Sequence, residues 1–170
     1  TLFRSLLGQG VVARFDPETY SDAVAFARIG EGSLGGKARG LAFMNSMILK
    51  HRLYDKHANV RIMIPRSVVI ATDYFDDFIR LNGLKYIISQ EFSDEEILSE
   101  FVSSTVPARL QQELKAYIQT VRTPLAVRSS SKLEDSHYQP FAGIYSTYMI
   151  PYVDNGDQML RLLLKAVKIG

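Results

Sequence analysis

The sequence predicts a mixed α/β (α+β) domain, and three observations carry that prediction. Short apolar or alternating runs of strand length stand at residues 60–64, 68–71, 125–127 and 144–150. Longer runs repeat their apolar residues three and four apart, the period of a helix with one buried face. Several of those helices fall between pairs of strands, which is the order of a layered mixed fold. A length of 170 residues suits one domain with a proper core rather than two.

The totals narrow the function classes. Hydrophobic residues make up 46% and charged residues 22%, an ordinary globular balance. A net charge of +2, from 20 basic and 18 acidic side chains, supplies no overall field for nucleic acid or for a polybasic membrane contact. Cysteine is absent, which excludes disulfides, thiolate metal sites and cysteine nucleophiles. No apolar run approaches the roughly 20 residues that span a bilayer, and no signal-peptide core opens the chain, so the expected location is cytoplasmic. The chain starts at Thr1 and stops at Gly170 just after a helical pattern, and is expected to be a piece of a larger protein.

Taken in order, residues 1–22 give weak signals. Leu6-Leu7 and Val11-Val12, with Gly8 and Gly10, suit a short helix or strand lying on the main body. Residues 20–29 read as a helix that Ser21 or Asp22 caps. Residues 38–53 read as an amphipathic helix with Leu41, Met44, Ile48 and Leu49 on its buried face, the methionines filling core. His51 and His57 lie among charges and are expected to be solvated. Two strands, 60–64 and 68–71, are broken at Pro65. Thr72 caps a helix to Leu81 that buries Tyr74, Phe75, Phe78 and Ile79, and Gly83 stops it. Ser93 with Glu96 forms a capping box for a helix to about Val102. Pro107 starts another, with Leu110, Leu114, Tyr117, Ile118 and Val121 at helical spacing. Pro124 ends it and hands the chain to a short buried strand from Leu125. Asn155-Gly156-Asp157 then turns and caps a last helix carrying Met159, Leu160, Leu163, Leu164 and Val167.

Two stretches carry the chemistry. Gly30 to Gly40, GEGSLGGKARG, has five glycines in eleven residues, so its backbone can bend tightly and approach a ligand. Gly30-x-Gly32-x-x-Gly35 matches the dinucleotide fingerprint, but that fingerprint needs a preceding strand and an acidic residue ending the next strand. Asp55 has the right separation and precedes that strand instead. Gly36-Lys37 also fails as a P-loop, because Glu31 and Ala38 stand where glycine and a magnesium-binding hydroxyl belong. What survives is Lys37 at a helix mouth whose amides can hold an anion; a turn with a solvated lysine is the plainer alternative. The second stretch, Leu125 to Thr147, delivers Arg128 and the hydroxyls of Ser129, Ser130 and Ser131 to a strand end. A planar cationic fork beside short donors suits an anion, and strand, polar loop, strand is the layout of a phosphate-covering flap. A hairpin with a serine-rich turn fits the same residues.

These two stretches, at this separation, resemble the nucleotide-binding region of the phosphoenolpyruvate synthase and pyruvate phosphate dikinase family. The resembling residues are Gly35-Gly36-Lys37-Ala38-Arg39-Gly40-Leu41, then Ile64-Pro65 through Thr72. The most specific block is Val127-Arg128-Ser129-Ser130, Glu134-Asp135 and Phe141-Ala142-Gly143, with Thr147 in register. Gly40, Arg66 and Ser146 depart from the family pattern. The resemblance implies the first ATP-grasp subdomain over residues 30–170, truncated, with residues 1–29 as a lead-in. It implies ATP as ligand, held by Gly35, Gly36, Lys37, Arg128, Ser129, Ser130, Gly143 and Thr147. Lys37 and Arg128 would contact the phosphates catalytically from one cleft, and residues 129–143 would close over them. Mg2+ ligands, the phosphoryl-accepting histidine and the pyruvate site are expected outside the chain, and His137 receives no catalytic role. The implied reaction is ATP and pyruvate to phosphoenolpyruvate, AMP and phosphate through a phosphohistidine. A dikinase with another acceptor such as a glucan, and a non-catalytic nucleotide-sensing module, are the alternatives.

Overall fold

A computed structural model describes residues 12–20, 26–89, 91–129 and 147–169. The flap residues Ser130 and Gly143, His137, and the expected lead-in element at 1–11 lie outside them. The chain divides into two compact units, Thr1–Thr72 and Asp73–Gly170. Strands and helices are mixed, with five α-helices among the described residues.

The first unit is a parallel sheet of β1 (Ala13–Arg14), β2 (Phe26–Ile29) and β3 (Ser67–Ile70), in that order, with β2 in the centre. Between β2 and β3 the chain runs through α1 (Gly35–Lys50) and a 3-10 turn, Leu53–Asp55. The expected helix at 20–29 is thus a strand over its described end. The carboxylate of Asp16 accepts from the Glu18 amide at 3.0 Å and the Thr19 hydroxyl at 3.1 Å, closing a turn that ends at Tyr20. Phe26, Ala27 and Ile29 are then buried, as a strand covered on both faces requires. A four-residue segment, Phe26-Ala27-Arg28-Ile29, is too short to show its period, so sequence could not separate the two forms.

Phe26, Ala38 and Ile64 form the core of this unit, with Val12, Leu34, Leu41, Ala42, Ile48 and Val69 packed around them. The buried stripe of α1 is therefore Ala38, Leu41, Ala42, Asn45 and Ile48. Met44 and Leu49, expected inside, are exposed, and Phe43 is 64% exposed. The small side chains of Ala38 and Ala42 pack in this core, and the methionine at 44 faces outward. Arg52, in the left-handed region at φ 50°, stops the helix before Leu53. Residues 61–66 form no strand: Ile64 is a buried anchor, and Pro65 beside it has no N–H to give a ladder.

The second unit holds α2 (Thr72–Leu81, its first residue closing the first unit), α3 (Asp94–Ser103), α4 (Ala108–Thr120), the antiparallel pair β4 (Leu125–Arg128) and β5 (Thr147–Ile150), and α5 (Gly156–Ile169). Helix α5 is the centre, packed on α3, α4, β4 and β5. Its Met159, Leu163 and Ala166 are buried, as are Leu110, Leu114 and Ile118 of α4. Gly83 (φ 65°) ends α2 as expected, and Ser93 and Glu96 make both bonds of the capping box. Asn155 accepts from the Gln158 amide at 3.0 Å and caps α5. In α2, Tyr74 and Phe78 are buried but Phe75 is 58% exposed. The expected buried strand at 125 is a half-buried one, alternating toward and away from α5.

Side-chain bonds to backbone fix the helix junctions. Asn82 donates to the carbonyls of Phe78 and Thr105 and accepts from the Thr105 amide, all at 2.9 Å. Lys168 donates to the carbonyls of Val102 and Ser104 at the end of α3, where a cation also meets the negative end of the helix dipole. Between α2 and α4, the Tyr74 hydroxyl donates to Glu113 at 3.0 Å, and the Arg109 guanidinium lies over the Tyr74 ring, 5.4 Å from its centroid.

Candidate functional site

The glycine-rich loop leaves the carboxyl end of the central strand and runs directly into the start of α1. Ligands of open parallel sheets bind at that edge, where loops and helix N-termini gather. Gly30 (φ 94°) and Gly35 (φ 76°) bend the backbone into a region where side chains are disfavoured.

Three sets of bonds hold the loop. The Arg28 guanidinium donates to the Gly30 carbonyl and to Glu31 at 2.8 Å, and Arg14 reaches the same carboxylate at 3.6 Å. The Ala71 amide donates to the Ile29 carbonyl at 2.9 Å. Ser33 and Thr72 bond reciprocally: the Ser33 amide donates to the Thr72 hydroxyl and the Thr72 amide to the Ser33 carbonyl, each at 3.0 Å. The hydroxyl expected to cap α2 therefore clasps the loop instead.

Helix α1 begins without an anion of its own. Its N-cap is Leu34, which has no side-chain acceptor, and its first turn holds no carboxylate. Gly36 and Lys37 stand in that turn, Gly36 exposed and Lys37 half-buried. A Cβ added at Gly36 would meet nothing within 4 Å, so neither the protein's packing nor a left-handed backbone demands glycine there. Open space beside a lysine at a helix start is suited to an oxyanion from outside.

The second group sits on the hairpin. Arg128, the last residue of β4, pairs directly with Thr147, the first of β5. Strand alternation puts both on the exposed face with Ala126 and Met149, while Leu125, Val127, Tyr148 and Ile150 lie on the other face. Arg128 has no ion pair among the described residues. Ser129 follows it, half-buried. Thus Gly35, Gly36 and Lys37 belong to the first unit and Arg128, Ser129 and Thr147 to the second, and the ladder brings Arg128 and Thr147 together. No three His, Asp or Glu side chains gather to hold a metal ion among the described residues. No helix among them is long and apolar enough to cross a membrane.

Sequence reasoning missed the strand before Gly30, and with it half of the dinucleotide criterion. The other half fails on the structure too: β3 ends at Ile70, and Asp55 sits in the 3-10 turn paired with Arg52 at 3.0 Å. It also missed Arg28 and Glu31 as the pins of the loop.

Neither the curated proteins nor the solved structures compared with this chain gave a match. The family described as pyruvate phosphate dikinase, AMP/ATP-binding domain, matches residues 31–168, from the glycine loop to the last turn of α5. The chain belongs to that family, and is the ATP/AMP-binding part of a kinase or phosphotransferase of the pyruvate phosphate dikinase type.

Proposed function

We propose that the chain binds ATP for a phosphotransferase that converts pyruvate to phosphoenolpyruvate, releasing AMP and phosphate through a phosphohistidine carried elsewhere. The observation that carries the nucleotide reading is the start of α1, an anion-free helix mouth with open space at Gly36 beside Lys37. Lys37 and Arg128 are the proposed phosphate contacts. Gly35, Gly36, Ser129, Ser130, Gly143 and Thr147 are the proposed surrounding binding residues.

Each group has a distinct task. The amides of the first turn of α1 and the Lys37 ammonium offset phosphate charge. Arg128 adds a bidentate fork that a point charge does not reproduce. Phosphoryl transfer asks little covalent chemistry of a protein, so positioned cations that meet charge developing on the transferred group supply most of the acceleration. Bound Mg2+ would neutralise phosphate charge. No set of three His, Asp or Glu side chains that could hold it gathers among the described residues.

The test is direct. A protein carrying this domain, given ATP, magnesium and pyruvate, is expected to yield phosphoenolpyruvate and AMP. Phosphorylation of a glucan with pyruvate untouched would replace the proposed acceptor. Unaltered ATP binding in both Lys37→Ala and Arg128→Ala would remove the proposed phosphate contacts.

A further inference from the structure

The segment that delivers the start of α1 is held in an unusual way. Ala71 and Thr72 are consecutive, yet their amides donate to the carbonyls of Ile29, at 2.9 Å, and of Ser33, at 3.0 Å. Gly30, Glu31 and Gly32 are therefore looped out between two neighbouring anchors. Gly30, at φ 94°, makes the bend that starts the loop.

The two sides of the loop are secured differently. Arg28 and Arg14 meet Glu31, whose side chain is 54% exposed. Ion pairs in that much water contribute little. Ser33 and Thr72 instead exchange bonds: the Ser33 amide donates to the Thr72 Oγ1 while the Thr72 amide donates to the Ser33 carbonyl, each at 3.0 Å. The Ser33 hydroxyl in turn accepts from the amide of Gly35, the first residue of α1, at 3.4 Å. One residue, Ser33, thus connects the Thr72 hydroxyl to the first amide of the helix. Thr72 is exposed, so loss of its hydroxyl opens no cavity in the core.

We propose that Thr72 is a positioning residue of the nucleotide site. Its hydroxyl holds Ser33, and through Ser33 it fixes the start of α1, at Gly35, Gly36 and Lys37, in the arrangement that receives phosphate. This rests on the nucleotide-binding role proposed for α1, and adds to it a residue that acts without touching the ligand. With glycine at 30, 32 and 35, the loop has many conformations open to it. Every one that a ligand must select against lowers affinity, and the clasp removes them before the ligand arrives.

Amide-resolved NMR of the chain, titrated with magnesium–ATP and separately with inorganic triphosphate, tests this. The Gly35, Gly36 and Lys37 amides should shift with either ligand. Thr72→Val keeps the branched shape and the backbone amide but loses the hydroxyl. It should weaken both ligands about fivefold to tenfold, the worth of one hydrogen bond. Thr72→Ser returns the hydroxyl and should restore affinity to within about twofold. Ser93→Ala removes a helix cap in the second unit and should lower the melting temperature with no change in either titration. Where the Ile29 and Ile70 amides show that Thr72→Val has lost the pairing of β2 with β3, Thr72→Ala takes its place. Wild-type affinity in the variant without the hydroxyl overturns the proposal and leaves the nucleotide site standing. A loss that Thr72→Ser does not restore, or that Ser93→Ala reproduces, overturns it as well. A wild-type chain whose α1 amides move with neither ligand overturns the nucleotide site and the proposal together.

Discussion

Gly35 and Gly40 lie in one helix and answer to opposite constraints. Gly35 has φ 76°, where an alanine costs about 1–2 kcal/mol. Gly40 has no left-handed backbone, and a methyl group placed on it would meet nothing within 4 Å. Gly40→Ala should therefore gain about 0.5–1 kcal/mol of helix stability. Thermal melts of alanine variants at the two positions should shift in opposite directions. Asn45 is the buried polar residue of the same helix, and its amide has no hydrogen-bond partner among the described residues. Asn45→Leu should raise stability by about 1 kcal/mol, since an unpaired buried amide loses its hydration for nothing. Tyr74 is the contrasting case. Burial, and then the hydrogen bond to Glu113, push its phenol up to about 12. The folded state thus holds the proton more tightly than the unfolded chain. That stability is complete below pH 10 and is lost as pH rises toward 12. Tyr74→Phe should cost about 1–3 kcal/mol at neutral pH and flatten the alkaline limb of a stability–pH profile. The sequence named Tyr74 as core, but nothing in it pointed to Glu113, because that pairing spans 39 residues.

At the scale of elements, legibility followed locality. The capping box at Ser93 and Glu96, the stop at Gly83 and the cap at Asn155 are written in residues two to four apart, and each was readable. Strand β2, and which face of α1 is buried, depend on distant partners and were not. The candidate site divides the same way: Lys37 and Arg128 were visible in local motifs, while the Ser33–Thr72 clasp required two segments to meet. The capping box itself makes a pH prediction. The Ser93 amide, and then its hydroxyl, hold the Glu96 carboxyl below its ordinary 4.5. A carboxylate favoured by folding stabilises above that ordinary value, and its contribution disappears as pH falls through the lowered one. Glu96→Gln should leave a shallower acid limb in chemical denaturation measured from neutral pH downward. Ser93→Ala should cost about 1 kcal/mol at neutral pH.

For the molecule as a whole, nucleotide affinity is the revealing quantity. An exposed charge pair at about 4 Å in water is worth only about 1 kcal/mol, so the contacts proposed for Lys37, Arg128 and the start of α1 predict modest binding. Calorimetry with the chain and magnesium–ATP should yield a dissociation constant near or above about 1 mM, weakening with salt. A micromolar value would show that the described groups are more enclosing than their exposure implies. Arg128→Lys should weaken binding further despite equal charge, because an ammonium cannot reproduce the bidentate fork proposed to meet the phosphates.

The register of the parallel sheet has a consequence for how the protein is made. Phe26 pairs with Ser67, so the central strand lacks its second neighbour until 41 further residues have been synthesised. At the usual 5–20 residues per second, that delay is about 2–8 s. Throughout it, Phe26, Ala27 and Ile29, which are buried in the finished protein, belong to a nascent chain with an unpaired strand edge. The interval of risk for misassociation is therefore the time between the emergence of β2 and the emergence of β3 from the ribosome, and slower elongation during that interval would lengthen it.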